Sequence, residues 1–140
     1  MATSTGDTTQ RPRLCRTLRV LRKEVDRLWP DRDRESDGWL GDAEHAARRS
    51  DHNPDRLGRV HALDIDVGGV DAYAIVRAAC SHPSTAYVIY ARQIWSASTD
   101  FSPRTYLGVN PHRTHMHVSV AHSWLGRRSK RSWLGIGRLP

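Results

Sequence analysis

Cysteine and long apolar runs are both scarce in this 140-residue chain. The two cysteines, Cys15 and Cys80, match no metal-binding spacing, so they exclude a cysteine-based metal site and allow one disulfide at most. We expect both thiols to be reduced and half-buried. No apolar run approaches the roughly 18 residues that a membrane-spanning helix requires, so no transmembrane segment is predicted.

An apolar leader is also missing from residues 1–13, MATSTGDTTQRPR. They contain no hydrophobic stretch typical of a secretory signal, so we expect the protein to be made and held in the cytoplasm until another agent releases it. Their polar, threonine-rich composition predicts that residues 1–13 are disordered.

Acidic residues are absent from the last 20 positions, which carry five basic residues. The other 120 residues hold 17 basic and 15 acidic residues, so most of the net charge of +7 belongs to a tail over 121–140 that also contains Trp124 and Trp133. A basic tail favours anionic partners such as nucleic acid, acidic lipid or bacterial wall polymers. The alternative is a solvated end that only improves solubility.

Hydrophobic spacing predicts one domain over residues 14–120. Leucine or valine recurs at positions 14, 18, 21, 25 and 28, which indicates an amphipathic helix that ends at Trp29-Pro30. Its opposite face is rich in arginine and is most simply a solvated surface. We predict strands over 60–66, 87–95 and 115–120, a helix over 71–80, and mostly loop over 30–58 with a short helical turn near 43–48. The expected class is α+β, with a small, mostly antiparallel sheet packed on one or two helices.

Three of the eight histidines lie in PHRTHMHVSV, residues 111–120. From His115 onward polar and apolar residues alternate, as in a half-buried strand whose successive side chains point to opposite faces. Met116 then faces the core, whereas His115 and His117 share the other face. Two imidazoles on one strand face suit a metal ion. The alternative is a surface strand that happens to carry histidines.

Two further residues complete a ligand set. A carboxylate at Asp64, within the apolar strand VHALDID (60–66), is costly to bury without a partner, and a cation would account for it. His52 lies where the preceding loop approaches this strand. His52, Asp64 and His117 therefore form a candidate zinc site with three protein ligands and one open position. The alternative for Asp64 is a cap or a pair with an arginine.

Several ordered blocks over residues 14–120 resemble peptidase M15-type proteins of phages and prophages: SDGWLGDAEHAARRSDHNPD, GRVHALDID, YVIYARQIWS and NPHRTHMHVSV. The wider group contains lysostaphin-type enzymes, D-Ala-D-Ala peptidases and hedgehog-like domains. The resemblance implies zinc ligands at His52, Asp64 and His117 and a hedgehog-like fold. It also implies cleavage of peptidoglycan stem peptides or cross-links by a monomeric lysis enzyme that acts at the cell wall.

The chain departs from this group at the catalytic base, because no glutamate precedes the last ligand. His115, beside His117, is instead the candidate for moving protons. Arg92 is the candidate for binding a substrate carboxylate or an oxyanion, with a solvent-facing arginine as the alternative. The other five histidines receive no role, and we expect most of them at the surface.

Two other functions compete with a peptidase. The basic tail, the clustered histidines and two tryptophans able to stack on bases favour a nucleic-acid-binding protein or a metal-dependent nuclease. A nuclease usually requires more carboxylate ligands grouped together, and we expect no stable nucleic-acid partner. A zinc-binding module without catalysis is the third possibility.

Overall fold

A five-stranded antiparallel sheet lies at the centre of the computed structural model, which describes residues 11–41 and 50–136. In chain order, the helices of the described residues are α1 (Arg16–Leu28), α2 (Ala72–Ser81) and α3 (Trp124–Arg128). The strands are β1 (Arg13–Leu14), β2 (Arg59–Val60), β3 (Ala62–Asp66), β4 (Thr85–Tyr90), β5 (Gln93–Ser96), β6 (Arg104–Thr105) and β7 (His115–Val120). The sheet has the order β3-β7-β4-β5-β6, and β1 pairs with β2 in a separate parallel ladder. The predicted α+β class with a small antiparallel sheet is confirmed.

The apolar stripe of α1 packs against the sheet as its spacing predicts. Leu18, Leu21 and Val25 are fully buried, whereas Leu28 in the last turn is about half exposed. The helix begins at Arg16, after the short strand β1 and the N-cap residue Cys15. In the ranges that the structure describes, no helix has both the length and the apolar character to cross a bilayer.

The predicted strand over residues 115–120 is confirmed, but it is not half-buried, because His117 and Ser119 on the opposite face are buried as well. Met116, Val118 and Val120 are fully buried on the core side. α2 packs against the sheet next to β4 and buries Ile75 and Val76. The opposite face of β7 is therefore left for its polar side chains.

The predicted single strand over residues 87–95 is wrong. β4 and β5 form a hairpin that reverses at Ala91 and Arg92, where φ is +50° and +61°. Two-residue turns with positive φ at both positions are usually made by Asn-Gly or Asp-Gly, so an Ala-Arg turn carries no sequence signal. The backbone N–H groups of Ala91 and Arg92 donate to the carbonyl oxygens of His112 (2.9 Å) and Pro111 (2.8 Å). Contacts with a distant segment therefore hold this turn.

A buried arginine fixes the loop that follows α1. Arg32 is 5% exposed and pairs with Asp26 at 2.9 Å and with Asp37 at 2.6 Å. Asp37 in turn accepts the backbone N–H of Asp66 at 2.7 Å, which ties the loop to the end of β3. The loop is thereby held along the edge strand of the sheet. The helical turn predicted near 43–48 lies outside the described residues.

The start of the ordered chain precedes residue 14. The backbone N–H of Arg13 donates to the carbonyl oxygen of Gly58 at 2.8 Å, and that of Cys15 donates to Val60 at 3.0 Å. The predicted disorder of residues 1–13 is therefore wrong at Arg13, while residues 1–10 lie outside the described residues.

Residues 121–136 pack onto the domain and do not form a separate tail. Trp133 belongs to the hydrophobic core, and its Nε1 donates to the carbonyl oxygen of Thr17 at 2.9 Å. Buried Glu24 on α1 accepts the backbone N–H of Trp133 at 2.9 Å and the hydroxyl of Ser132. The predicted domain end at residue 120 is therefore wrong, because an indole inside the basic segment completes the core beside α1.

We expect Trp133→Ala to lower the free energy of unfolding by about 3–5 kcal/mol, as is typical when a large aromatic side chain is removed from a core. Urea unfolding followed by circular dichroism measures the change. Trp124→Ala is the matched control, since Trp124 is 68% exposed and its loss should cost less than about 0.5 kcal/mol. Equal destabilisation by the two variants would contradict this packing.

Candidate metal centre

His52, Asp64 and His117 meet on one face of the sheet and form a group that can hold a metal ion. Asp64 on β3 lies directly opposite His117 on the adjacent strand β7. Because opposed residues on paired strands point to the same face, the carboxylate and the imidazole are neighbours. His52 reaches them from the loop that precedes β2. The structure therefore brings together the three ligands that the sequence predicts.

The three ligand atoms form a nearly equilateral triangle. Nε2 of His52 lies 3.2 Å from Oδ1 of Asp64 and 3.1 Å from Nδ1 of His117. Nδ1 of His117 lies 3.2 Å from the same carboxylate oxygen. Two ligands of a tetrahedral ion with bonds of about 2.0 Å are roughly 3.3 Å apart. The observed spacing therefore suits three ligands of one small cation.

The hydrogen bond made by Nδ1 of His52 determines the tautomer of this residue and hence which nitrogen presents a lone pair to the group. Nδ1 lies 2.8 Å from the carbonyl oxygen of Trp39, and a carbonyl only accepts, so Nδ1 carries a proton. A neutral His52 then presents the lone pair of Nε2, which is the form that binds a metal. The carbonyl is held in place because Gly38, just before Trp39, forms a backbone bridge with Asp64.

Ser119 lies behind the ring of His117, as the carbonyl of Trp39 lies behind the ring of His52. Nε2 of His117 lies 2.7 Å from the hydroxyl oxygen of Ser119, which is fully buried. A serine hydroxyl can accept a hydrogen bond, and in the tautomer that donates Nε2–H to Ser119 the lone pair of Nδ1 is directed at the group.

The charges of the group favour a cation. Burial raises the pKa of Asp64, but the adjacent imidazoles of His117 and His52 together outweigh burial and hold this pKa well below its usual range. Burial lowers the pKa of His117, and the contact with Asp64 offsets this only in part. Burial also opposes a charge on His52, yet the carboxylate of Asp64 and the carbonyl of Trp39 together outweigh burial and raise the pKa. An ionised Asp64 therefore draws positive charge to this point.

His115 lies beside the group without joining the triangle. Its Nε2 is 3.9 Å from Oδ2 of Asp64, the carboxylate oxygen that does not take part in the triangle. Its side chain is 16% exposed, whereas the side chain of His117 is 7% exposed. His115 is thus placed on the accessible side of the group, where a proton can be exchanged with a bound molecule.

Arg92 lies at the turn of the β4-β5 hairpin and not on a strand. It is exposed, and its Nη1 is 3.5 Å from the carbonyl oxygen of Tyr106. In the pairing of β4 with β7, Ile89 lies opposite His117. Beyond this pair, the backbone N–H groups of the turn bind the carbonyl oxygens of Pro111 and His112, which precede β7. The predicted strand position of Arg92 is wrong, but the residue is at the end of the sheet that carries the group.

Sequence analysis does not find three side chains next to the group. The ring of Tyr87 stacks on His117 with a centroid distance of 5.3 Å. The ring of His112 contacts His115 at 4.9 Å and His117 at 6.0 Å. Asp51, the residue before His52, forms an ion pair with His122 at 2.8 Å. The crowding of histidines in residues 111–120 is a signal for His112, whereas Tyr87 becomes a neighbour only through strand pairing.

The expectation that the unassigned histidines lie mostly at the surface is wrong. His61, His82 and His112 are buried, while His122 is exposed and donates to Asp51 at 2.8 Å. His45 lies outside the described residues. His61 stacks on His122 at 3.8 Å, and within the described residues neither of its ring nitrogens has a hydrogen-bond partner.

Burial of His61 predicts a loss of stability in acid. Burial, with help from nearby His122, lowers the pKa of His61 to about 4 from the ordinary 6.5. Between pH 4 and pH 6.5, His61 binds a proton in the unfolded chain but stays neutral in the folded chain. Stability is therefore full above pH 6.5 and falls toward pH 4, by up to about 1.4 kcal/mol per pH unit.

Urea unfolding at pH 7 and pH 5 measures this slope in the parent chain and in His61→Leu. The substitution should flatten the slope by about one proton, because leucine does not titrate. An unchanged slope in His61→Leu would assign the acid sensitivity to other groups.

A cavity of about 480 Å³ adjoins the segment that supports His52. Its lining includes Arg22, Gly38 and Trp39. Gly38 pairs with Asp64, and the carbonyl of Trp39 accepts from His52, so two lining residues contact the group directly. The volume lies within the usual range of small-molecule and cofactor sites.

Comparison with protein-family models, with curated proteins and with solved structures finds no match to this chain. The function must therefore be argued from the site. Two imidazoles, one ionised carboxylate and a neighbouring histidine suit metal-assisted hydrolysis.

Proposed function

We propose that the chain is a zinc-dependent peptidase that cleaves amide bonds in peptidoglycan stem peptides or cross-links. The triangle formed by His52, Asp64 and His117 carries the proposal. Two nitrogens and one carboxylate oxygen at this spacing are a ligand set that zinc accepts. The peptidoglycan substrate is supported by the resemblance of the blocks around these residues to M15-type enzymes.

Ligand number and exposure favour a catalytic zinc over a structural one. Structural zinc sites almost always have four protein ligands, whereas this group has three in the described residues. The side chain of Asp64 is 21% exposed, so one side of the group is accessible to a substrate. A zinc ion bound there would polarise the scissile carbonyl and lower the pKa of a water molecule toward about 7.

The neighbouring side chains have separate tasks in this proposal. His115, 3.9 Å from Asp64, takes the proton of the attacking water and returns it to the leaving amine. The ring of His112 packs against His115 and keeps it at the accessible side. Arg92, exposed at the adjacent turn, binds a substrate carboxylate, because guanidinium matches carboxylate geometry.

The competing functions have weaker support. The group contains a single carboxylate, while nucleases that use hard metal ions group several. A zinc-binding module without catalysis does not require a histidine at the accessible side of the metal ligands. A non-catalytic module therefore leaves the position of His115 unexplained.

Hydrolysis of purified bacterial walls tests the proposal. We expect the zinc-loaded protein to release new amino groups from the walls, a chelator to stop the release, and added zinc to restore it. A plasmid incubated in parallel should stay intact. Degradation of the plasmid without release from walls would establish a nuclease, and bound zinc with neither activity would establish a binding module.

A further inference from the structure

A second charged site is built around a cavity of about 360 Å³ whose lining contains six arginines and no acidic residue. The arginines come from three separate stretches of chain: Arg13, Arg16 and Arg19 from β1 and α1, Arg59 from β2, and Arg127 and Arg128 from α3. The lining shares no residue with the metal-binding group. This arginine cleft therefore unites part of the arginine-rich face of α1 with part of the basic C-terminal segment.

Ion pairs are few in the arginine cleft within the part of the chain that the structure describes. Arg59 pairs with Asp55 through Nε at 2.8 Å. Four others make no ion pair in residues 11–41 and 50–136: Arg16, Arg19, Arg127 and Arg128. All four residues line the same concavity, so their positive charges lie around one site. Like charges in this arrangement repel one another, and a bound anion would relieve the repulsion.

The N-terminus of α1, which contributes Cys15 and Arg16 to the arginine cleft, also favours a bound anion. The N-cap residue Cys15 makes no capping hydrogen bond through its side chain, and the first turn contains no acid. Helix N-termini favour anions, yet here the first turn carries Arg16 and Arg19. The buried thiol of Cys15 supplies no charge, because burial raises its pKa to about 11.

We propose that the arginine cleft binds a small ligand that carries at least two phosphate groups. Guanidinium groups donate in pairs to phosphate oxygens, and Arg16, Arg19, Arg127 and Arg128 together offer more donors than a single phosphate can accept. The volume is that of a small-molecule site. None of the lining residues is aromatic, so the cleft provides no surface on which nucleic-acid bases could stack. The inference does not depend on the proposed peptidase activity.

Calorimetric titration of the full chain with a sugar bisphosphate, and separately with inorganic phosphate, tests the proposal. The bisphosphate should bind at least about tenfold more tightly than inorganic phosphate and raise the melting temperature. Sodium chloride at the same ionic strength should do neither. Arg16→Gln and Arg127→Gln should each weaken bisphosphate binding at least about tenfold, since each removes charged hydrogen bonds.

Two controls separate binding from folding and from the metal centre. Arg16→Gln should melt at a higher temperature than the parent chain when no ligand is present, because one repulsive charge is gone. Arg77→Gln, on the exposed side of α2, should bind like the parent. His117→Ala should also keep bisphosphate binding, since the two sites share no residue.

Four results would overturn the inference. Stabilisation by chloride equal to that by the bisphosphate would reduce the effect to screening. Parent-like affinity in both Arg16→Gln and Arg127→Gln would remove the cleft as the site, and loss of binding in His117→Ala would move the ligand to the metal centre. Binding of an oligothymidylate without binding of the bisphosphate would replace the small ligand with a nucleic-acid strand.

Discussion

Zinc should be lost from each of His52→Ala, Asp64→Ala and His117→Ala, while the parent chain binds about one zinc ion. Each substitution leaves two protein ligands, because the group has three members in the described residues. The affinity should fall by more than the roughly 100-fold that loss of a residue behind a ligand can cost. Metal analysis after dialysis at fixed free zinc measures the content, and wall hydrolysis should disappear in the same variants.

Two further variants on β7 should affect zinc binding less than the loss of a ligand does. Ser119→Ala removes the acceptor behind His117 and should weaken zinc binding about 10–100-fold. Met116→Leu, on the core side of β7, should leave zinc content unchanged, because volume-conserving apolar swaps cost less than about 1.5 kcal/mol. Full zinc content in any of the three ligand variants would refute the ligand set.

The ligand group could be predicted because its signals are local. Alternation along residues 115–120 decides which face of the strand each histidine occupies, and the structure confirms it. Asp64 is conspicuous because a charge within an apolar strand needs a partner. The exact opposition of Asp64 and His117 depends on the strand register, which the sequence does not specify.

The elements that sequence analysis missed are held by contacts between distant residues. The turn at Ala91-Arg92 has no characteristic turn residues, and hydrogen bonds to Pro111 and His112 hold it instead. Trp133 lies in a basic segment typical of a solvated end, but α1 supplies a buried carboxylate and a carbonyl for its polar groups. In both cases the partner residues decide the structure.

The arginine cleft illustrates the same limit at the surface. Spacing along α1 correctly separates its buried stripe from its arginine face, and composition correctly marks the end of the chain as basic. Neither pattern shows that the two basic surfaces meet, because the meeting depends on the packing of α3 against α1. Net charge alone therefore cannot distinguish a solvated surface from a binding cleft.

Turnover on bacterial walls should fall about 10²–10⁴-fold in His115→Ala, the loss typical of a general acid–base group, while zinc content and stability remain those of the parent. The separation is expected because His115 lies outside the triangle, 3.9 Å from Asp64, and is more exposed than His117. His117→Ala should lose zinc and turnover together. Measuring zinc content and hydrolysis rate on the same preparations distinguishes a proton carrier from a metal ligand on one strand face.

The His112→Ala variant tests whether His115 or His112 carries the proton. Its ring contacts both His115 and His117, and its Nδ1 donates to the carbonyl of Asn110 at 2.7 Å, so a neutral His112 keeps an unprotonated Nε2. If His115 carries the proton, His112→Ala should reduce turnover much less than His115→Ala does. If His115→Ala stays fully active and His112→Ala does not, the proton is carried by His112. Within the described part of the chain, His112 is then the remaining histidine that has a free ring nitrogen next to the metal ligands.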